Sequence, residues 1–399
     1  MDRILVVLGA CGIHVCIGSV YAWSVLTNHI VERTGWSLSA VTFAFSLAIL
    51  FLGTSAGFLG NRVQKWGAKK SALISAMFFT SGLIGSSVAI ATESLPLLYL
   101  FYGVIGGIGL GIGYIAPVAT LLKWFPKAKG FAGGCAVMSF GFAALLAGPL
   151  MQKLVAEFGL EQNFLILAMI YGIAMCISAF MLKPAPKNVE NEGEKAVEIS
   201  AANSFSTHDA VRTWQFLALW IVFFINISCG IALLSIASPM AQKLGMTAAE
   251  AAGMVGMIGI LNGGGRIFFA SISDYIGRGL TYITFFVVET IAFFLLSGTD
   301  NIHLFQSLVF IIVACYGGGF SCMPAYLADL FGTKYLSAIH GRILTAWGIA
   351  GICGPLMLTC IYEAFGSYEP ALQVFSMMFI LSTIIAVLLF KKGIGHEQN

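Results

Sequence analysis

Charge is what this chain lacks. Of its 399 residues only 10% are Asp, Glu, Lys or Arg, while 58% are hydrophobic; an ordinary soluble domain carries roughly a quarter charged residues. That composition excludes a soluble fold. Paired cysteines are missing too: the nine cysteines stand singly inside apolar runs, with no CxxC and no Cys/His ligand set. They read as small packing residues, so neither a metal site nor a disulfide framework is expected. Nor is there a phosphate-cradling glycine loop, a nucleophile triad or a cofactor motif. An enzyme is thereby excluded, no cofactor is expected, and a net charge of +3 gives no reason to expect a nucleic-acid partner.

What the chain has is apolar length. Crossing the hydrocarbon layer takes about 20 apolar residues, and on that scale twelve spans appear: 4–27, 40–63, 69–91, 96–122, 130–152, 163–183, 214–238, 248–271, 279–298, 303–328, 341–362 and 369–390. The first is long and uncut by an Ala-x-Ala pattern, so it reads as a membrane helix and not a removable signal. With the N-terminus inside, seventeen lysines and arginines fall in cytoplasmic segments. Three (Arg33, Lys153, Lys243) fall outside, and Arg266 lies within a span. Positive residues stay inside, so both termini are expected to be cytoplasmic. Short loops, and a sequon at Asn226 that is hidden inside span 7, suit a bacterial inner membrane.

One long polar stretch interrupts the pattern, rich in Glu, Lys, Asn and Ser and poor in aromatics, which makes it a solvated tether. The expected organisation is an all-α membrane protein of two six-helix, pseudo-symmetric bundles. These are 1–183 and 214–390, joined by a cytoplasmic linker 184–213 and followed by a tail 391–399. The halves echo each other. Gly60–Lys70 follows span 2 as Ser271–Arg278 follows span 8. Gly111–Pro117 in span 4 matches Gly317–Pro324 in span 10, and Gly148-Pro149 matches Gly354-Pro355. Parallel repeats place a substrate site near the midplane, where the halves meet.

Arg266 is the residue that decides the function class. An ionisable side chain at membrane depth is expensive and functional by default, and its own helix offers no acid until Asp274. A buried cation without a built-in counter-ion suggests one that arrives and leaves. Its guanidinium can grip a carboxylate with two parallel hydrogen bonds; the bland alternative is a clamp on backbone carbonyls. Asn262, one turn earlier, shares its face. Tyr21, Tyr114 and Tyr316 bring hydroxyls to mid-depth, and Trp347 can wall a cavity, although packing alone accounts for aromatics as well. His14 is a candidate proton relay or a satisfied neutral histidine. Glu289, in span 9, reads first as a protonated structural residue and second as a proton-coupling group.

These pieces resemble the major facilitator superfamily. Asp274-Tyr-Ile-Gly277-Arg278 matches its cytoplasmic Gly/Asp/Arg signature, which implies a conformational latch of Asp274 and Arg278; the first-half copy has Gln64 where an Asp is usual. Within the superfamily the chain is similar to the oxalate:formate antiporter family and its monocarboxylate-porter relatives. That similarity lies in Gly18–Ser24, Gly113–Pro117 with Lys123-Trp-Phe-Pro126, and Asn262–Arg266. It implies a carboxylate on Arg266, with Asn262 and the tyrosines of spans 1, 4 and 10 beside it. Oxalate carriers of the family are expected to hold a second cation, a lysine, in span 11, and here there is none. A small monocarboxylate of lactate, pyruvate or formate type is therefore favoured, carried by a monomer through proton symport or anion exchange. The rivals are an oxalate:formate-type dicarboxylate antiporter and a membrane receptor that senses a carboxylate without moving it. Sugar and cation carriers want acids and amides that the inner spans lack.

Overall fold

The computed structural model describes residues 2–186 and 205–394. The expected linker falls largely outside the described residues, as does the end of the expected tail. The chain is helical nearly throughout, as apolar length in lipid requires: every backbone N–H and C=O must be paired within its own segment. Among the described residues eleven helices are long and apolar enough to cross a membrane. One of them, Leu38–Ala91, has 54 residues, about 80 Å at 1.5 Å per residue. It carries both span 2 and span 3. Gly67 (φ 75°, ψ 169°) is the one non-helical position inside it and turns the chain back. Gly277 (φ 86°, ψ 151°) does the same between spans 8 and 9, so the two repeats share this backbone device, which only glycine adopts freely.

The remaining spans follow in order. Span 1 comprises Asp2–Gly18, a tight 3₁₀ turn at Ser19–Ala22, and Trp23–Thr34. Span 4 begins at Leu95–Leu98, widens through a π-helical stretch at Tyr99–Gly106 and ends as Gly107–Trp124. Spans 5 and 6 are Lys129–Phe158 and Leu160–Met181. Span 7 is Trp214–Lys243, span 8 Ala248–Ile276 and span 9 Arg278–Ser297. Spans 10 to 12 are Ile302–Phe331, Leu336–Phe365 and Glu369–Ile394. Most of these outrun the sequence boundaries by a few residues. Span 11 starts at Leu336, five residues before the expected 341, and span 12 continues past 390 because Lys391 and Lys392 extend the helix beyond its apolar stretch.

The halves meet along two seams, span 2 against span 11 and span 5 against span 8. Small residues bring the backbones close there, the usual way helices associate in lipid. A methyl group added at Gly60 would come within 2.8 Å of the Ala338 Cα, and one at Gly134 within 3.0 Å of the Ala270 Cβ. Spans 9 and 12 turn Phe294, Ile291 and Met377 outward, all more than half exposed, as lipid-facing helices should.

At the lysine-rich face the seams are tied by polar contacts. Asp274 accepts the backbone N–H groups of Gly130 and Phe131, at 2.9 and 3.0 Å. Those amides open span 5, where the helix dipole favours a negative charge. Asp274 also pairs with Arg278, whose Nε donates to Asp329 at 3.0 Å and whose guanidinium also bonds Ser273. Lys129, from the other half, reaches Asp329 at 2.8 Å. On the second seam Gln64 donates to the Lys334 carbonyl at 2.6 Å. Part of the expected linker is described here: Thr207, in the short helix Thr207–Ala210, donates to Asn61 at 3.2 Å.

Candidate functional site

Arg266 lies at the span 5–span 8 seam and is fully buried. Its Nε donates to the Asn262 Oδ1 at 3.0 Å, and one terminal nitrogen donates to the Val137 carbonyl of span 5 at 3.1 Å. The other terminal nitrogen has no partner. The guanidinium stands 5.0 Å from the centre of the Phe320 ring, a cation–π contact that stabilises charge without neutralising it. Among the described residues Arg266 makes no ion pair. The two readings of Arg266 thus divide by arm: one arm clamps a carbonyl, and one is left open. Asn262 points its carbonyl oxygen at the arginine, so it orients the guanidinium.

The aromatic candidates gather beside that open arm. Trp347 of span 11 lies 5.3 Å from Tyr114, 6.4 Å from Tyr21 and 4.8 Å from Phe320, ring centre to ring centre. Tyr316 packs on Phe320 at 5.3 Å. The hydroxyls of Tyr21 and Tyr114 and the indole N–H of Trp347 are buried without a hydrogen-bond partner. Buried polar groups are ordinarily paired, and each orphan costs about 1–3 kcal/mol. Three orphaned groups near one cation, which has an unpartnered nitrogen of its own, make a polar cradle suited to a partner that both accepts hydrogen bonds and carries negative charge.

His14 stacks on Tyr114 at 5.0 Å. Its two ring nitrogens face two backbone carbonyls, Ala136 at 2.8 Å and Tyr114 at 3.1 Å. Glu289 stands apart from this cluster. It is buried against Asn226, whose amide nitrogen lies 3.3 Å from both carboxylate oxygens, inside the second bundle. Asp274 and Arg278 lie at the lysine-rich face, as described above.

Sequence reading passed over three participants. Phe140 touches His14, Tyr21, Tyr114 and Trp347, but one phenylalanine among 32 carries no signal of its own. The Val137 carbonyl is backbone and invisible in sequence. His340 was readable: it is 1% exposed, its ring lies 5.9 Å from Tyr114, and its Nδ1 is unpartnered. It fell outside span 11 only because that span was begun at 341, five residues too late.

A family model described as Major Facilitator Superfamily matches residues 8–355 and 230–395. The uncharacterized MFS-type transporter YhjX of Escherichia coli (strain K12) is 26% identical over 353 residues, covering 88% of this chain and 86% of that protein. The oxalate:formate antiporter of Oxalobacter formigenes is 27% identical over 365 residues, covering 91% and 85%. Human monocarboxylate transporter 14 is 26% identical over 203 residues, 50% of this chain and 39% of that one. Among solved structures, the transporter FucP in its outward conformation superposes with a TM-score of 0.73 at 14% identity, covering 98% and 99%. At that identity the likeness speaks for the fold alone.

Proposed function

This chain belongs to the Major Facilitator Superfamily, and from that premise we propose that it carries small monocarboxylate anions of lactate, pyruvate or formate type by alternating access. The lysine-rich face and both termini are taken as cytoplasmic, in a bacterial inner membrane. The observation that carries the reading is the open arm of Arg266, buried beside the orphaned hydroxyls of Tyr21 and Tyr114 and the Trp347 indole. A carboxylate there accepts from the guanidinium and from at least one hydroxyl. Its short apolar tail lies against Phe140 and Trp347.

With no anion bound, the guanidinium is unneutralised, and sealing it from water costs several kcal/mol. A bound monoanion cancels that charge, so the loaded carrier rocks more easily than the empty one. That alone favours exchange. His14 supports proton coupling instead: a neutral imidazole has a single N–H, while two carbonyls face its ring, so an added proton satisfies both. Asp274 and Arg278 act as the latch that holds the cytoplasmic side shut. Glu289 remains a second proton-coupling candidate, less favoured because it faces Asn226 and not the cradle.

The test is uptake of labelled L-lactate into proteoliposomes, with and without an inward proton gradient and with unlabelled carboxylates trapped inside. Gradient-driven uptake into empty vesicles supports symport, and uptake only against trapped carboxylate supports exchange. If saturable carboxylate binding appears with no flux under any condition, the protein senses its ligand and does not move it. Absence of both binding and flux removes the carboxylate reading.

A further inference from the structure

His340 is the histidine of the second half that reaches the cradle. It lies in span 11, two turns before Trp347, which sets it about 10 Å nearer the lysine-rich face at 1.5 Å per residue. Its ring packs on Tyr114 of span 4, 5.9 Å between ring centres, and its Nδ1 is buried without a partner. Tyr114 in turn stacks on His14 of span 1 at 5.0 Å, and its hydroxyl is unpartnered too. Two histidines from opposite halves of the molecule thus meet on one tyrosine.

A cavity of about 330 Å³ opens at the lysine-rich face, and it reaches close to His340. Its lining includes Ser337, one turn before His340, and Ala116 and Thr120, which follow Tyr114 on span 4. The contact of His340 with Tyr114 therefore stands between the cavity and the cradle. The seam is shut there: Gly341 meets the Ala56 carbonyl of span 2 too closely to admit a methyl group. The titratable groups facing His340 are Tyr114 and, beyond it, His14. Span 2 carries no charge before Arg62, which is exposed, and Arg342 on the same helix as His340 lies over Phe58. Span 7 is uncharged before Lys243, and span 12 between Glu369 and Lys391. Asp329 of span 10 is taken by Arg278 and Lys129. His208 and Asp209 of the short helix Thr207–Ala210 pair with each other, and Lys69 and Lys123 line the cavity.

We propose that His340 is the cytosolic port of the coupled proton. In the loaded carrier the His14 imidazolium gives up its proton across Tyr114, and the unpartnered Nδ1 of His340 takes it. His14 ends neutral and His340 ends as the imidazolium. A tyrosine hydroxyl both donates and accepts, so Tyr114 passes a proton on without keeping one. Opening of the cytosolic side draws span 11 away from spans 2 and 4. That movement breaks the contact with Tyr114 and sets the imidazolium against water in the cavity, where the proton leaves. The way back to His14 is cut at the same moment, so release is one-way within each cycle. A charged histidine also costs less in water than at membrane depth, which favours the opening. The inference rests on the proton-coupled form of the function proposed above and adds the exit that His14 alone does not supply.

The experiment places the purified full-length carrier in proteoliposomes and compares two rates with labelled L-lactate. One is exchange against trapped L-lactate without a gradient; the other is uptake into empty vesicles driven by an inward proton gradient. His340→Gln is expected to keep exchange within about twofold of wild type, because no proton has to leave. The same variant should lose gradient-driven uptake by about tenfold or more. His340→Asn, a smaller amide, is measured beside it with the thermal midpoint of each, so that a poorly folded variant does not decide the result. His303→Gln, the same change at the exposed outer end of span 10, alters neither rate. Retained acceleration in a folded His340 variant overturns the inference. An equal loss of both rates does so too, since it marks a packing role, and so does a wild type that exchanges but ignores the gradient. Those three outcomes leave the carboxylate reading standing. A wild type with no carboxylate flux overturns that reading, and the proton port with it.

Discussion

Arg278 and Arg266 lie twelve positions apart on one stretch of chain, and their surroundings are opposite. Arg278 is satisfied by the protein: Asp274, Asp329 and Ser273 surround it, and those acids also hold Lys129 and the first amides of span 5. Arg266 has an amide oxygen, a carbonyl and an aromatic face but no carboxylate. A cation whose counter-ion is built in stabilises one arrangement of the helices. On the proposed reading, a cation whose counter-ion is withheld takes one from outside, and the contrast sets a structural cation against a substrate-binding one.

The largest expected effect breaks the second environment. Arg266→Lys keeps the charge and loses the fork, and it should lower carboxylate kcat/KM by about a hundredfold. Arg266→Gln should abolish flux, yet its thermal midpoint should not fall, because an unneutralised buried charge has been removed. A lower midpoint would mean that the arginine is mainly a helix clamp. Asp274→Asn tests the first environment. The Arg278 and Asp274 side chains are only 10% and 12% exposed, so the loss should be about 2 kcal/mol, between an exposed pair and a fully buried one. Unfolding should show the drop, while substrate affinity measured at saturation of the open state stays put. Equal stability of this variant and wild type would deny the latch its role.

Smaller effects sharpen the contrast. His14→Gln fills the position without titrating, so uptake should persist by exchange while acceleration by a proton gradient disappears; retained acceleration would move the coupled proton to Glu289 or His340. Trp347→Phe keeps the ring and removes the orphaned indole N–H. If that group donates to the bound anion, affinity should fall about fivefold, as for one net hydrogen bond. An unchanged affinity would leave Trp347 as aromatic packing between Tyr114 and Phe320.

Much of this was legible in the chain. Arg266 and Asn262 stood out because polarity is conspicuous in an apolar run, and their spacing alone put them on one face. Gly67 and Gly277 were readable as breaks, although not as turns of identical conformation. His14 was visible as a candidate, but its pair of facing carbonyls came from spans 4 and 5 and had no trace in span 1. Phe140 and Val137 were hidden because an aromatic ring or a carbonyl becomes part of a site only through what packs against it.

The sequence by itself determined that the chain lives in lipid, crosses it twelve times in two echoing halves and buries one cation at depth. Those outcomes follow from local hydrophobicity and from the cost of charge in hydrocarbon, which depend on each segment alone. Only the tertiary structure decided which cations meet an acid and which do not. Asp329 comes to Arg278 and Lys129 from 51 and 200 residues away along the chain, while nothing of the kind comes to Arg266 among the described residues. Charge compensation is a property of neighbours in space, and the packing of helices chooses those neighbours.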